Sequence, residues 1–296
     1  MELTSRFVGT TLKDLARTIG RRQSMNYAAA VGDDNPRYLD DEREGGIVAP
    51  PMLSTAITWP AIAGIGTLLE AADFPLEILL TMVHYSEHLR FHRLLRPEEP
   101  LTLRGKIAAI TPHRAGTVVV IRFDALDAQG APVFTEHIGA LMRGVGCADP
   151  GAGENALPEV PLRESPPAAP LWEAPIRIDR LRPFIYDGCT DIVFPIHTSK
   201  KFARQVGLPD IILQGTATLA MAVREITDRE AGGDPARLEA VACRFGAMVP
   251  PGSEIRVRLL GAERAAEAAE LHFEVLNQEG EPAIRHGFAR LKRRPA

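Results

Sequence analysis

A histidine and a glycine in the second half of the chain offer the clearest chemistry. His197 ends a turn that contains Phe194 and Pro195, and Gly215 opens a stretch of helical composition. An imidazole titrates near neutral pH and can carry a proton to and from water. Free backbone N–H groups at the start of a helix stabilise negative charge that develops on a carbonyl oxygen. Together these features predict acid–base chemistry on a carbonyl compound of the thioester kind.

Both residues also have purely structural interpretations. His197 could cap the short helix predicted for residues 199–205 through a bond to the backbone. Gly215 could be needed only for close packing where a helix begins. The position of His197 within its turn favours the catalytic role, whereas the two interpretations of Gly215 stay open.

The chain contains an internal repeat. Two segments that begin at Tyr27 and Tyr186 align without a gap at an offset of 159 positions, and Tyr38 then corresponds to His197. Further matches follow in the same order at offsets of 154 and 150 positions, as loops of different length in two copies would produce. This order predicts a duplicated domain.

The composition excludes several classes of protein. The 296 residues are 45% hydrophobic and 24% charged, with a net charge of −4, so no basic field is available for nucleic acid or an anionic membrane. No stretch has the length and apolar character of a membrane span, and the N-terminus lacks the pattern of a signal peptide. Three scattered cysteines do not predict a disulfide framework or a zinc site. We therefore expect a cytoplasmic enzyme or binding protein.

Each half is expected to combine one long apolar helix with a run of strands, which is an α+β arrangement. Helical composition is found at residues 12–30, 52–72 and 216–230, and Pro60 predicts a kink or break in the second of these. Strands are predicted at residues 84–91, 101–109, 117–127 and 133–143, and again at 238–245, 255–261, 270–277 and 283–292. Residues 144–175 are rich in Gly, Pro, Ala and Glu, and predict a linker.

The chain resembles the MaoC-like dehydratases and R-specific enoyl-CoA hydratases. The resemblance covers both halves and depends on four short motifs, which are Gly32-Asp-x-Asn-Pro36, Phe194-Pro-x-His197, Gln214-Gly-Thr216 and Pro250-Pro-Gly-Ser253. It implies a double hot-dog fold, in which residues 1–143 form a degenerate N-terminal hot dog and 176–296 a MaoC-like one. It also implies a lyase of fatty acid metabolism that interconverts 2-enoyl and 3-hydroxyacyl thioesters. Coenzyme A or an acyl carrier would enter as part of the substrate, without another cofactor, and the protein would be a homodimer or higher oligomer.

The hydration motif of this family, D-x-N-P-x-H, is incomplete in both halves. The first half keeps Asp33 and Asn35 but has Tyr38 in the histidine position. The second half keeps His197, and its nearest acid, Asp191, stands one residue too early. By resemblance, the catalytic residues are His197, Asp191 and Gly215, and the substrate-binding residues are Gln214, Thr216, Phe194, Asp33 and Asn35. The aspartates could instead belong to turns or helix caps.

Two other functions stay open. The chain could be a catalytically silent subunit that binds acyl-CoA beside a partner with an intact motif, or a hydratase for a branched dicarboxylyl-CoA, which requires an arginine near the acyl end. A metal site is not expected. His84, His88 and His92 are four residues apart, but on a strand such neighbours lie too far apart to bind one ion.

Overall fold

The computed structural model describes residues 1–163 and 169–293. In the first half the helices are α1 (Arg21–Ala30), α2 (Pro36–Leu39), α3 (Ser54–Ala63) and α4 (Ile65–Leu68). The strands of this half and of the segment that follows are β1 (Glu2–Leu3), β2 (Leu15–Thr18), β3 (Met82–Phe91), β4 (Pro100–His113), β5 (Gly116–Leu126), β6 (Pro132–Arg143) and β7 (Gly146–Cys147).

The second half repeats this order. Its helices are α5 (Arg182–Thr190), α6 (Lys200–Gln205) and α7 (Gly215–Ala231), and its strands are β8 (Trp172–Arg177), β9 (Leu238–Phe245), β10 (Glu254–Arg264), β11 (Ala268–Leu276) and β12 (Pro282–Lys292). Within the described ranges, no helix is long and apolar enough to cross a membrane.

The two halves share one ten-stranded sheet, in the order β2-β4-β5-β6-β3-β9-β12-β11-β10-β8. The halves meet where β3 pairs antiparallel with β9, with Glu87 opposite Cys243 and Leu89 opposite Val241. This pairing removes an exposed edge from each half-sheet. It confirms the predicted α+β double hot dog with edge-to-edge sheets.

The seam between the halves also confirms the duplication. Tyr27 on α1 and Tyr186 on α5 are the corresponding residues of the two copies, and both are fully buried. Their rings meet edge to face with centroids 5.9 Å apart, and their hydroxyl oxygens are 3.3 Å apart. Arg182 at the start of α5 donates a hydrogen bond to the Ala30 carbonyl at the end of α1. The two copies therefore face each other through equivalent helices.

The long helices differ between the halves. The predicted helix at residues 216–230 is confirmed by α7, which is continuous for 17 residues and buried along most of its length. The predicted helix at 52–72 is interrupted, as expected, but the break lies after Pro60 and the helical structure ends at Leu68. A turn of 3-10 helix precedes α3, which passes through Pro60 and ends at Ala63, and α4 follows Gly64. The break therefore occurs at Gly64, four residues after the proline, because glycine also disfavours a helix.

The prediction of helix for residues 12–30 is wrong in its first part. Residues 15–18 form β2, in which half-buried and exposed side chains alternate, and Leu15 pairs with Leu103 of β4. Helix begins only at Arg21, after Gly20. Pairing with an edge strand overrides a local composition that suits either structure. The predicted strands are confirmed, with ends that differ by up to four residues.

The segment between the halves takes part in the sheet. β7 pairs in parallel with β1, and β8, which begins at Trp172 inside the predicted linker of residues 144–175, pairs with β10. The Trp172 indole N–H donates a hydrogen bond to Glu230 near the end of α7. The predicted linker is therefore partly extended, and its last four residues, 172–175, belong to the sheet of the second half.

Candidate active site

His197 lies at the end of a 3-10 turn that follows Phe194, directly against the segment that leads into α7. Its Nδ1 is 2.9 Å from the carbonyl oxygen of Ile212, three residues before Gly215. Because a carbonyl only accepts hydrogen bonds, Nδ1 carries the proton and Nε2 keeps its lone pair. Burial lowers the pKa of His197 to about 4, so the ring is neutral near pH 7. The structure thus presents a neutral imidazole with a free basic nitrogen.

The start of α7 lies beside this histidine. Gly215 is the first helical residue, and its first-turn N–H groups receive no side-chain cap. The preceding Gln214 is buried, and its side-chain nitrogen donates to the Pro183 carbonyl of α5. Thr216 is nearly buried and lies beside the Tyr186 hydroxyl. Three of the predicted residues therefore form one helix terminus, which begins shortly after the carbonyl that holds His197.

Gly215 also lies in a tightly packed position. A Cβ added here would lie 3.0 and 3.1 Å from two carbons of the Phe245 ring. Phe245 in turn packs on His84 of β3, with ring centroids 4.4 Å apart. Gly215 therefore fits the packing interpretation. Close packing does not exclude a catalytic role for its backbone N–H group.

The structure does not bring Asp191 to His197. Asp191 is exposed in a left-handed conformation (φ 57°) as the C-cap of α5, and its carboxylate accepts a hydrogen bond from Gln23 of α1 at 3.2 Å. A second acid of the same helix, Asp187, was not predicted from the sequence. One of its carboxylate oxygens is buried without a partner among the described residues, and burial together with the charge of Asp191 raises its pKa.

Apolar side chains are exposed on the loop of His197 and on the segments that flank it in sequence. The Phe194 ring packs against both His197 and Phe202, with centroids 6.3 and 6.1 Å apart. Five further large hydrophobic residues of α5, this loop and the end of α6 are exposed, namely Leu181, Phe184, Ile185, Val193 and Val206. This apolar rim suits the hydrocarbon part of a ligand.

The equivalent loop of the first half is closed. Asp33 and Asn35 are 8% and 9% exposed, and Asn35 donates from its side chain to the Gly233 carbonyl beyond α7. Arg224 of α7 donates to the carbonyls of residues 31 and 32. Burial raises the pKa of Asp33 to about 6, and the fully buried Tyr38 takes the place of a histidine. The predicted Asx turn is present, because the Asp33 carboxylate accepts from the backbone N–H of Asn35.

A buried pair of acids was not predicted from the sequence. Glu87 of β3 and Glu136 of β6 are both essentially inaccessible, and the nearest basic group is His84, whose Nε2 is 3.1 Å from a Glu87 oxygen. Burial raises the pKa of Glu87 to about 8 and that of Glu136 well above its ordinary value. Burial also lowers the pKa of His84 to about 4. The three groups are therefore neutral near pH 7. The only sequence signal that these acids face the interior is the alternation of side chains along β3 and β6.

The histidines of β3 do not form a metal site. A bulge between His84 and Ser86 separates the faces of the strand, so that His84 points to the interior and His88 packs against His137 on the other face. His92 bonds to Thr135. Within residues 1–163 and 169–293, no group of three or more histidine, cysteine or acidic residues is placed to bind a metal ion.

Two family models match the chain, one on each half. A FAS1-like dehydratase domain region matches residues 6–136, and a MaoC-like domain matches residues 168–280. The 3-hydroxyacyl-thioester dehydratase Y of Mycobacterium tuberculosis is 28% identical over 244 residues, which cover 79% of each chain.

Solved structures show the same fold. A MaoC-like dehydratase from Phytophthora capsici superimposes with a TM-score of 0.82 at 19% identity, over 98% of this chain and 99% of that one. The peroxisomal multifunctional enzyme type 2 of Drosophila melanogaster gives a TM-score of 0.74 at 23% identity, over 95% of this chain and 48% of that one. Fold, motif loops and relatives define a double hot-dog protein of the thioester dehydratase class. The second half of the chain carries a MaoC-like domain, and the first half carries a FAS1-like dehydratase region.

Proposed function

We propose that the protein is a hydro-lyase that interconverts a 2-enoyl thioester and a 3-hydroxyacyl thioester. The observation that carries this proposal is the neutral His197, held through Nδ1 by the Ile212 carbonyl and placed beside the uncapped start of α7. A neutral imidazole next to free N–H donors suits a reaction that needs a base for water and a site for a developing enolate.

In the hydration direction, Nε2 of His197 removes a proton from a water molecule as its oxygen bonds to the β-carbon. The electrons of the double bond move toward the thioester oxygen, which accepts a hydrogen bond from the N–H of Gly215. The enolate then collapses and the α-carbon receives a proton, which the imidazolium supplies. Dehydration is the reverse. The elements of one water molecule are added across the double bond, so no redox partner is needed, and coenzyme A or an acyl carrier enters only with the substrate.

We assign catalysis to the second half. The first-half loop has Tyr38 in the histidine position. It is closed by a hydrogen bond from Arg224 of α7 and by one from Asn35 to the Gly233 carbonyl beyond α7. A phenol, with an ordinary pKa near 10, cannot replace imidazole in proton transfer at neutral pH. Burial raises the pKa of Tyr38 further. The first half would serve to shape the pocket for a bulky or branched acyl chain.

The decisive experiment compares four variants in the hydration of crotonyl-CoA, followed by loss of enoyl-thioester absorbance. His197→Ala should lower kcat by about two to four orders of magnitude, the usual contribution of a general acid–base group. Its affinity for a saturated acyl-CoA should change little, because imidazole acts on water. Asp33→Asn is the matched control in the closed loop and should change the rate little.

Asp191→Asn and Asp187→Asn then identify the acid that assists His197. A loss of rate in only one of them assigns the role, and near-normal rates in both leave a bound water network to orient the nucleophile. Loss of activity in Asp33→Asn with activity kept in His197→Ala would transfer catalysis to the first half and refute the assignment.

A second candidate function is a catalytically silent subunit that binds acyl thioesters. It is favoured by one observation, since the Asp191 carboxylate is engaged by Gln23 and does not contact His197. Absence of turnover with enoyl-CoA substrates of several chain lengths, combined with measurable acyl-CoA binding, would support this candidate. The dicarboxylyl-CoA alternative is disfavoured by the buried acids Glu87 and Glu136, because the basic group beside Glu87 is His84, which is neutral near pH 7 and cannot pair with a second carboxylate.

We also propose that the protein forms a homodimer or higher oligomer in the cytoplasm. The exposed apolar side chains Leu76, Leu80 and Val83 lie together in the chain near the start of β3, and Leu80 is 91% exposed. All three cysteines are free, as is usual in a reducing compartment. Light scattering on the wild type and on Leu80→Ser tests the oligomer, because a monomeric wild type would contradict it.

A further inference from the structure

A cavity of about 240 Å³ lies at the seam of the two halves, on the side of the sheet away from α7. Val241 and Cys243 of β9 belong to the core that contains α7. Strand alternation therefore directs Ala242 and Arg244 to the opposite face, where they line the cavity. The space suffices for a small organic molecule.

The floor of the cavity is rich in nitrogen donors. Arg244, His286, His88 and His137 line it together with Ser86. His88 and His137 pack edge to face, and burial lowers the pKa of each to about 4, so both are neutral near pH 7. The pKa of His286 is also lowered, by burial first and then by Arg244 and Arg285. Among the lining residues that the structure describes, the cavity therefore holds one permanent positive charge, which is Arg244, beside neutral donors.

No acid neutralises this charge among the residues that the structure describes. Arg244 lies over the Tyr85 ring at 5.5 Å and pairs across the strands with Arg285, a second cation. Like charges directly opposite in a sheet destabilise it. Glu87 also borders the cavity, but it lies 3.1 Å from His84 and its raised pKa keeps it protonated. An anion bound in the cavity would neutralise the charge of Arg244.

The backbone at His286 is unusual. This residue has a positive φ of 52° within β12, where the pairing with β9 shifts register between Arg285 and Phe288. Bulges and non-glycine residues in this conformation are found preferentially near binding sites, because they redirect a side chain at a cost in stability. Here the bulge places the His286 side chain at the cavity.

The roof is apolar and comes from the connection between the halves. Leu157, Pro158, Val160 and Leu162 line the cavity from this side. Leu157 packs on a small cluster of the outer sheet face that includes Val120, which also lines the cavity. A ligand here would have a charged end at Arg244 and a hydrocarbon part beneath the roof.

We propose that this cavity binds a small amphipathic carboxylate, such as a short-chain fatty acid anion, at a site separate from the thioester site. A single permanent cation matches a monoanion better than a phosphate dianion, and the roof matches a short alkyl chain. The site includes strands of both halves and the connection between them. Its occupation would therefore stabilise the docking of the halves.

The test is isothermal titration calorimetry of the whole protein at pH 7 with acetate, butyrate, hexanoate and inorganic phosphate. Hexanoate should bind saturably and more tightly than acetate, by up to about fourfold for each methylene that is buried. Arg244→Gln should weaken hexanoate binding at least about tenfold, the usual effect of losing a hydrogen bond to a charged group. Arg290→Gln is the matched control, since this arginine lies on the same sheet but binds Glu239 and Glu270 outside the cavity.

His286→Gly provides a second variant in case Arg244→Gln folds poorly. Glycine accepts the positive φ, so the backbone is kept while the imidazole is lost, and hexanoate binding should weaken. Three outcomes would overturn the proposal: no saturable binding of hexanoate at millimolar concentrations, phosphate binding as tightly as hexanoate, or hexanoate binding of wild-type affinity in both Arg244→Gln and His286→Gly.

Discussion

Replacing Glu87 by glutamine should stabilise the protein, and increasingly so as the pH rises. Glu87 is buried beside Glu136, and burial raises its pKa to about 8 from an ordinary value of 4.5. A carboxyl whose pKa is raised on folding binds its proton more tightly in the folded state. The stability associated with that proton is fully present below pH 4.5 and is lost as the pH rises toward 8. Glutamine keeps the shape and neutral polarity of the protonated acid and does not titrate.

The magnitude follows from the two pKa values. Each pKa unit corresponds to about 1.4 kcal/mol, so wild type loses roughly 4 to 5 kcal/mol, as an upper bound, between pH 4.5 and pH 8 through this group. Of this, roughly 2 to 3 kcal/mol falls between pH 6 and pH 8.5. Because Glu87 and Glu136 share protons, the change in stability at the lower pH is smaller than this value, but its sign is the same.

Urea unfolding of wild type and Glu87→Gln at pH 6 and pH 8.5 measures this difference. The advantage of the variant should be larger at pH 8.5. Glu44→Gln is the control, because Glu44 is exposed in a loop, and its effect should be the same at both pH values. An advantage of Glu87→Gln that is equal at the two pH values, or smaller at pH 8.5, would refute the claim that burial keeps this carboxyl protonated.

Three further predictions concern the thioester site and the connection between the halves. Gly215→Ala should lower kcat and also the free energy of unfolding, by about 1 to 3 kcal/mol, because the new methyl group would crowd Phe245 at 3.0 Å; a normal kcat in a folded variant would contradict it. The kcat/KM profile should fall on the acid side with a pKa near 4, because the neutral form of His197 is the base and burial lowers its pKa to about 4; a pKa near 6.5 would show a solvated histidine. Proteolytic cleavage between residues 151 and 170 should leave the halves associated on gel filtration, since β3 and β9 join them in one sheet; separate elution of the fragments would contradict it.

The sequence by itself determined the duplicated α+β organisation and the bounds of the elements whose signals are local. The offset of 159 positions predicted that Tyr27 and Tyr186 are equivalent, and the structure places their rings in edge-to-face contact. The start of α7 could be predicted because Gly215 begins a long stretch of helical composition. The strands could be predicted from β-branched runs between turns. These signals depend on neighbours within a few residues.

Tertiary structure alone decided what depends on distant partners. Residues 15–18 became a strand because β4 offers an edge, and Asp191 turned toward Gln23 because α1 of the other half lies beside it. The lowered pKa of His197, the protonated pair at Glu87 and the cavity at Arg244 all result from burial by elements far away in the chain. Desolvation depends on everything that surrounds a group, and a one-dimensional pattern records only the neighbours in sequence.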